Sequence, residues 1–211
     1  MSNLLYLSSS IFAEQGNSSQ LADNFIRQWQ SANPQGEVVH RDLTSAPLPQ
    51  LDQTLAAAFF TEPQQRSAEQ KELVARSDAL IAELKAANIV VIGLPMYNFG
   101  VPSQFKSWVD HIARAGITFK YTEQGAVGLL TNKPVLVFAA RGGRYSSTGN
   151  DHQEPFLRQF FGFIGLSDVR FIFAEGVNMG EEAKSKALSD AQTETELLVE
   201  TMLRQATPQP A

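Results

Sequence analysis

The sequence predicts an α/β fold in which a parallel sheet is covered by helices on both faces. Three observations carry this. Short apolar runs alternate along the chain with longer stretches whose apolar residues recur at helical spacing. Two of the runs, Asn88–Leu94 (NIVVIGL) and Pro134–Ala140 (PVLVFAA), are apolar nearly throughout, as strands are when both faces are buried. The chain has 211 residues, 43% of them hydrophobic and 18% charged, enough to close one full core without staples.

The elements follow in order. Asn3–Ser8 (NLLYLS) reads as the first strand. Leu21, Phe25, Ile26 and Trp29 share one face of the helix after it, with Asn17 or Ser18 as its N-cap. Glu37–Leu43 (EVVHRDL) is a second, more polar strand, and Ala46–Gln53, with two prolines, is a loop. Gln64–Ala87 is a long helix burying Leu73, Leu80, Ile81 and Leu84, and Asn88–Leu94 is the third strand. Pro102 suits the first turn of a helix running to about Arg114. Thr118–Leu130, broken by glycines among aromatics, is an excursion or hairpin. Pro134–Ala140 is the fourth strand, Gly142–Asn150 a loop, His152–Phe163 a helix, Val169–Glu175 the fifth strand and Glu182–Arg204 the last helix. Residues 1–205 make one domain and Ala206–Ala211 a frayed tail.

Five such strands suggest a flavodoxin-like three-layer sandwich with strand order 2-1-3-4-5. Ligands of these sheets bind outside the carboxyl ends of the strands, near the point where the order reverses. The loops after the first, third and fourth predicted strands are therefore the places to look.

Composition removes several chemistries. The chain has no cysteine, so disulfides, thiolate zinc sites, iron–sulfur clusters and a Cys nucleophile are out. The three histidines, His40, His111 and His152, show no paired metal-ligand spacing. His111, on the helix after the third strand, reads as structural. The net charge of −5, from 17 basic and 22 acidic residues, argues against a protein that tracks nucleic-acid phosphates. No Lys or Arg precedes Arg27, so a secretory basic region is missing, and no apolar run approaches the ~20 residues of a membrane helix. The expected location is the cytoplasm, with no membrane and no nucleic-acid partner.

The first loop, Ser8–Gln20, is rich in hydroxyl and small residues and leads into a helix N-terminus, where free N–H groups and the helix dipole favour an anion. It is neither GxGxxG nor GxxxxGK[ST], which disfavours a dinucleotide fingerprint and a P-loop. A phosphate here has to be held by neutral donors, and hydrogen bonds to a charged group contribute roughly 1.5–3 kcal/mol each. An ordinary cap at Ser18 over a solvated loop is the bland reading of the same residues. The second loop, Pro95–Pro102 (PMYNFGVP), sets flat apolar groups, an amide and backbone donors at a strand end, which suits a planar heteroaromatic ring. Tyr97 and Phe99 are otherwise core aromatics. The third, Ala140–Tyr145 (ARGGRY), has two glycines that allow a backbone to approach a ligand. Otherwise it is a turn with Arg141 and Arg144 solvated. No acidic residue stands at the end of the third strand, where a phosphoacceptor receiver needs one, and no GxSxG elbow is present.

Taken together, Pro95-Met-Tyr-Asn-Phe99, Ala113–Phe119, Tyr121-Thr-Glu123, Arg141-Gly-Gly143, Phe161–Gly165 and Phe173–Gly176 resemble the FMN-dependent NADH azoreductases, a family of flavin quinone reductases. The resemblance runs from Asn3 to about Glu200. It implies that Ser10, Gly16, Asn17 and Ser18 cradle the FMN phosphate. Met96, Tyr97, Asn98 and Phe99 would run along the ring and ribityl chain, and Ala140, Arg141, Gly142 and Gly143 would approach the pyrimidine edge. It implies a homodimer with sites at the interface, where Tyr121, Tyr145 and Phe163 contact substrate. Ala140 stands where a serine is familiar, Gly16-Asn17 replaces a more serine-rich stretch, and Tyr145 stands where relatives carry histidine.

The activity implied is FMN-dependent NADH:quinone oxidoreductase and azoreductase, with NADH, or NADPH, and then a quinone or azo compound occupying one pocket in turn. Such a ping-pong enzyme needs no catalytic side chain, since the cofactor carries the chemistry, and no metal. The alternatives are a flavodoxin-like FMN electron carrier serving a protein partner and a non-enzymatic module for another aromatic phosphate. The long Thr118–Leu130 excursion favours a pocket over a carrier's exposed flavin edge.

Overall fold

Every strand of the main sheet runs in the same direction, and the spatial order places the first strand beside the second and third. The computed structural model describes residues 3–146 and 148–206. Its strands are Asn3–Ser8 (β1), Glu37–Asp42 (β2), Ile89–Pro95 (β3), Val135–Arg141 (β6) and Val169–Glu175 (β7), ordered β2-β1-β3-β6-β7. Phe119–Thr122 (β4) and Gly125–Gly128 (β5) form a separate antiparallel hairpin. With the hairpin set aside, this is the expected 2-1-3-4-5 order. The helices are Asn17–Ala32 (α1), Gln53–Phe60 (α2), Ala68–Ala86 (α3), Ser103–Ile112 (α4), Gln153–Ile164 (α5) and Glu181–Ala206 (α6).

Side chains alternate across a strand, and here both alternating sets are buried. Leu5, Leu7, Val90, Ile92, Val135 and Val137 pack with residues of α3, α4 and α5. Leu4, Tyr6, Val91, Leu136, Phe138 and Ile172 pack with α1 and α6. This double burial is why the central strands read as continuous apolar runs. Each fully buried Val, Leu, Ile or Phe contributes roughly 1.5–3 kcal/mol, so the sheet is a rigid base for the loops at its ends.

Four expectations need correction. The cap of α1 is Gly16, not Asn17 or Ser18, which lie inside the first turn. The helix expected from Gln64 starts at Ala68, because Ser67 and Gln70 form a reciprocal capping box there. The helix α2 has no counterpart in the sequence pattern. Its sequence QTLAAAFF is too short and too uniformly apolar to show a face, although Asp52 caps it by accepting from the Leu55 N–H at 2.8 Å. Ala206, assigned to the tail, ends α6, and residues 207–211 lie outside those described. Among the described residues no helix is long and apolar enough to cross a membrane.

Candidate functional site

The loops after β1, β3 and β6 meet at the carboxyl end of the sheet. In the first, the Ser9 hydroxyl donates to the Gly93 carbonyl at 3.0 Å, tying the loop to β3. The chain then turns through Ala13–Gln15 and enters α1 at Gly16. A Cβ on Gly16 would come within 2.2 Å of the Ser10 Oγ, so only glycine fits beside that serine. The start of α1 has no side-chain cap and no acidic residue in its first turn. Among the described residues the N–H groups of Asn17, Ser18 and Ser19 donate no hydrogen bond. The Ser18 hydroxyl is buried, with the residue only 1% exposed, and it has no partner. An uncapped helix start and a buried, unpaired hydroxyl fit an anion such as a phosphate ester. This is neither a conventional cap nor a solvated loop.

The second loop turns sharply just after β3. Asn98 and Phe99 both have positive φ, 50° and 66°. The Gly100 N–H donates to the Tyr97 carbonyl at 3.0 Å and the Tyr97 N–H donates back at 3.2 Å. Two positive φ values inside such a pair define a type I′ turn, which usually carries Asn-Gly. Phenylalanine in the second position costs about 1–2 kcal/mol, so neighbours must hold it. The Ile11 N–H donates to the Tyr97 hydroxyl at 3.1 Å, joining the first loop to the second. Tyr97 and Phe99 are thus not core aromatics: Tyr97 is half-buried and Phe99 is exposed. A cleft of about 650 Å³ flanks the turn, lined by Ile11, Tyr97, Asn98, Val101, Pro102 and Phe156 among others.

The third loop is fastened from below. Arg141 is not solvated: it is buried beneath the loop, and its Nε and Nη2 have no hydrogen-bond partner among the described residues. Its Nη1 donates to Asp151 at 2.7 Å and to Glu175 at 3.0 Å, and its guanidinium lies 4.4 Å from the Phe173 ring centre. Glu175 also accepts from the Tyr145 N–H, the Ser146 N–H and the Ser146 hydroxyl. Burial raises the Glu175 pKa, but the bonds from Ser146, Tyr145 and Arg141 outweigh it and hold the carboxyl below its ordinary value. Asp151 is likewise held low, as its bonds to Arg141 and to the start of α5 outweigh its burial. The Gly142 and Gly143 carbonyls accept from Asn178 and Gly176. Their N–H groups donate no bond among the described residues, so the Gly142–Gly143 backbone donors stand open. Tyr145 meets Phe99 edge-on, with ring centres 5.9 Å apart, which closes the second loop against the third.

Ser10, Gly16, Asn17, Ser18, Met96, Tyr97, Asn98, Phe99, Ala140, Arg141, Gly142, Gly143 and Tyr145 therefore all lie in these three loops or at their strand ends. Tyr121 and Phe163 do not. Phe163 sits near the far end of α5, about 15 Å along the helix from Gln153. Tyr121 is 75% exposed on the hairpin that packs on that same far end. His111 is buried and takes up the Pro49 carbonyl through its Nε2 at 3.1 Å, a structural placement. Two polar residues that shape the site, Asp151 and Gln153, escaped the sequence reading, since nothing in their local pattern marks partners far along the chain.

Known proteins share this fold. A family model described as flavodoxin-like fold matches residues 2–198. An FMN-dependent NADH:quinone oxidoreductase of Alcanivorax borkumensis is 55% identical over 91% of this chain and 97% of its own. One from Cellvibrio japonicus is 52% identical over 93% and 98%. An FMN-dependent NADH-azoreductase of Bacillus anthracis, solved in complex with FMN, superposes with a TM-score of 0.87 at 26% identity, over 96% of this chain and all of its own. Identity above one half holds over nearly the whole length of both chains, and the chain belongs to the flavodoxin-like FMN-dependent NADH:quinone oxidoreductase family.

Proposed function

We propose that this protein is an FMN-dependent NADH oxidoreductase acting on quinones and on aromatic azo compounds. The observation that carries the reading is the uncapped start of α1, with the buried, unpaired Ser18 hydroxyl, beside a ring-sized turn at the same sheet end. Ser10, Gly16, Asn17 and Ser18 would hold the phosphate of FMN with neutral donors. The Met96–Phe99 backbone would lie along the ring. The free N–H groups of Gly142 and Gly143 would donate to its pyrimidine edge and stabilise negative charge there. FMN bound in this way supplies hydride acceptance from NADH and hydride donation to the acceptor. The chain's own residues orient the reactants and exclude water, and Phe99 with Tyr145 forms an aromatic edge against which a flat substrate can pack.

A second copy of the chain completes the site in this reading. Tyr121 and Phe163 lie at the opposite end of their own sheet, and Tyr121 is exposed. In a homodimer each hairpin can reach its neighbour's loops.

Saturating the purified protein with FMN and desalting it should leave flavin absorption on the protein. Anaerobic NADH should bleach that absorption and a quinone should restore it. Initial rates at several quinone concentrations should give parallel double-reciprocal lines. A protein that retains no FMN overturns the reading. So does bound flavin that NADH leaves oxidised, the behaviour of an electron carrier.

A further inference from the structure

The N-terminus of α5 touches both ring-facing loops at once. Gln153, its first residue, is completely buried. Its side-chain amide donates to the Pro95 carbonyl and to the Gly100 carbonyl, each at 2.9 Å. These two carbonyls bracket the turn that carries Asn98 and Phe99 at positive φ. Both partners are acceptors, so the orientation of the amide is set: its two hydrogens face the turn and its oxygen faces away. That oxygen is buried and has no partner. A glutamine kept at such a cost does more than fill space.

The residue two before it holds the other loop. One Asp151 oxygen accepts from the Gln153 and Glu154 N–H groups, capping α5, and the other accepts from Arg141 at the end of β6. The helix start therefore fixes the strained turn through Gln153 and the glycine loop through Asp151, and sets the gap between them.

Building on the proposed FMN site, we infer that Gln153 is a positioning residue for the flavin. It keeps the Tyr97–Gly100 turn in its left-handed conformation before the cofactor arrives, so that binding does not have to order it. Without the amide the turn keeps only its own Tyr97–Gly100 bonds, the Ile11 bond to the Tyr97 hydroxyl and the Tyr145 edge contact against the unfavourable φ of Phe99, and it loosens.

The test is Gln153→Met, which preserves volume and removes both donors, with Gln153→Asn as a second variant whose amide is withdrawn by one methylene. FMN affinity is measured by fluorescence titration of the apoprotein. Amide exchange at Gly100 is measured in the apoprotein, and flavin absorption and midpoint potential in the loaded protein. Gln153→Met should bind FMN at least tenfold more weakly, with faster exchange at Gly100 and a shifted potential, and Gln153→Asn should fall between it and wild type. Should the Met variant not fold, the Asn variant alone must show the weaker binding and faster exchange. Variants that match wild type in affinity, exchange and potential overturn the inference and leave the FMN reading intact. Failure of wild type itself to bind FMN overturns both.

Discussion

Gly16 lies so close to Ser10 that a Cβ on the glycine would come within 2.2 Å of the Ser10 Oγ and 2.7 Å of its Cβ. Contacts under 3.0 Å force something to move, and Ser10 has little room because its carbonyl already accepts from the Ala13 N–H. Gly16→Ala should therefore distort the loop that leads into α1, at a cost of about 1–3 kcal/mol in stability. FMN affinity should fall with it. Thermal unfolding and FMN titration of the variant check both, and unchanged values would show the contact to be yielding.

Ser18→Ala should separate the free protein from the loaded one. The hydroxyl is buried without a partner, so its removal should leave the apoprotein as stable as before or slightly more so. With FMN bound, the same change should weaken affinity by about 1–3 kcal/mol, the loss of one hydrogen bond to a charged group. Apo and holo unfolding temperatures, measured side by side, give the two signs. A variant that loses apo stability, or binds FMN as wild type does, would place the hydroxyl in the scaffold instead.

The fold was legible because its central strands are buried on both faces and so announce themselves as apolar runs. The three loops were legible because sheets of this order bind at one end. What escaped was pairwise. Arg141 reads from sequence as a loop arginine, yet its partners stand ten and thirty-four residues further on, and no local pattern points to them. Gln153 is invisible for the same reason: its partners are fifty-eight and fifty-three residues back. Gly16 is hard to recognise as a cap because serine and asparagine cap better in isolation. At this site the donors are left open, not satisfied by a side chain.

The third loop should be acid-sensitive. Asp151 and Glu175 both have pKa values held below the ordinary carboxylate range by their bonds, Arg141's among them. A group depressed on folding adds stability above its unfolded pKa, near ~4. That stability is lost as pH falls through the lower folded value. Unfolding temperature should thus be insensitive to these two groups at neutral pH and decline below pH ~4. Glu175→Gln should cost about 2–3 kcal/mol at pH 7, less than the ~3–5 of a fully orphaned buried charge, because Asp151 still faces Arg141. It should also flatten the acid limb. A wild-type and variant pair with parallel pH profiles would remove Glu175 from the linkage.

Tyr121 offers a test of whether sites are shared between copies. On its own chain it lies on the hairpin packed against the far end of α5, away from the three loops. If a neighbour's site uses it, then Tyr121→Ala and Gly16→Val damage different halves of each site. A hybrid of the two chains has one site with both defects and one with neither. Random mixing of equal amounts, after denaturation and refolding together with FMN, makes half the dimers hybrids and leaves roughly a quarter of all sites intact. Quinone reductase activity at low quinone should rise to about that fraction of wild type, although each variant alone is impaired. Were each chain to build its site from its own residues, every site in the mixture would keep one defect and no activity would return. The stoichiometry of recovery therefore reports directly on which copy supplies the aromatic side chains.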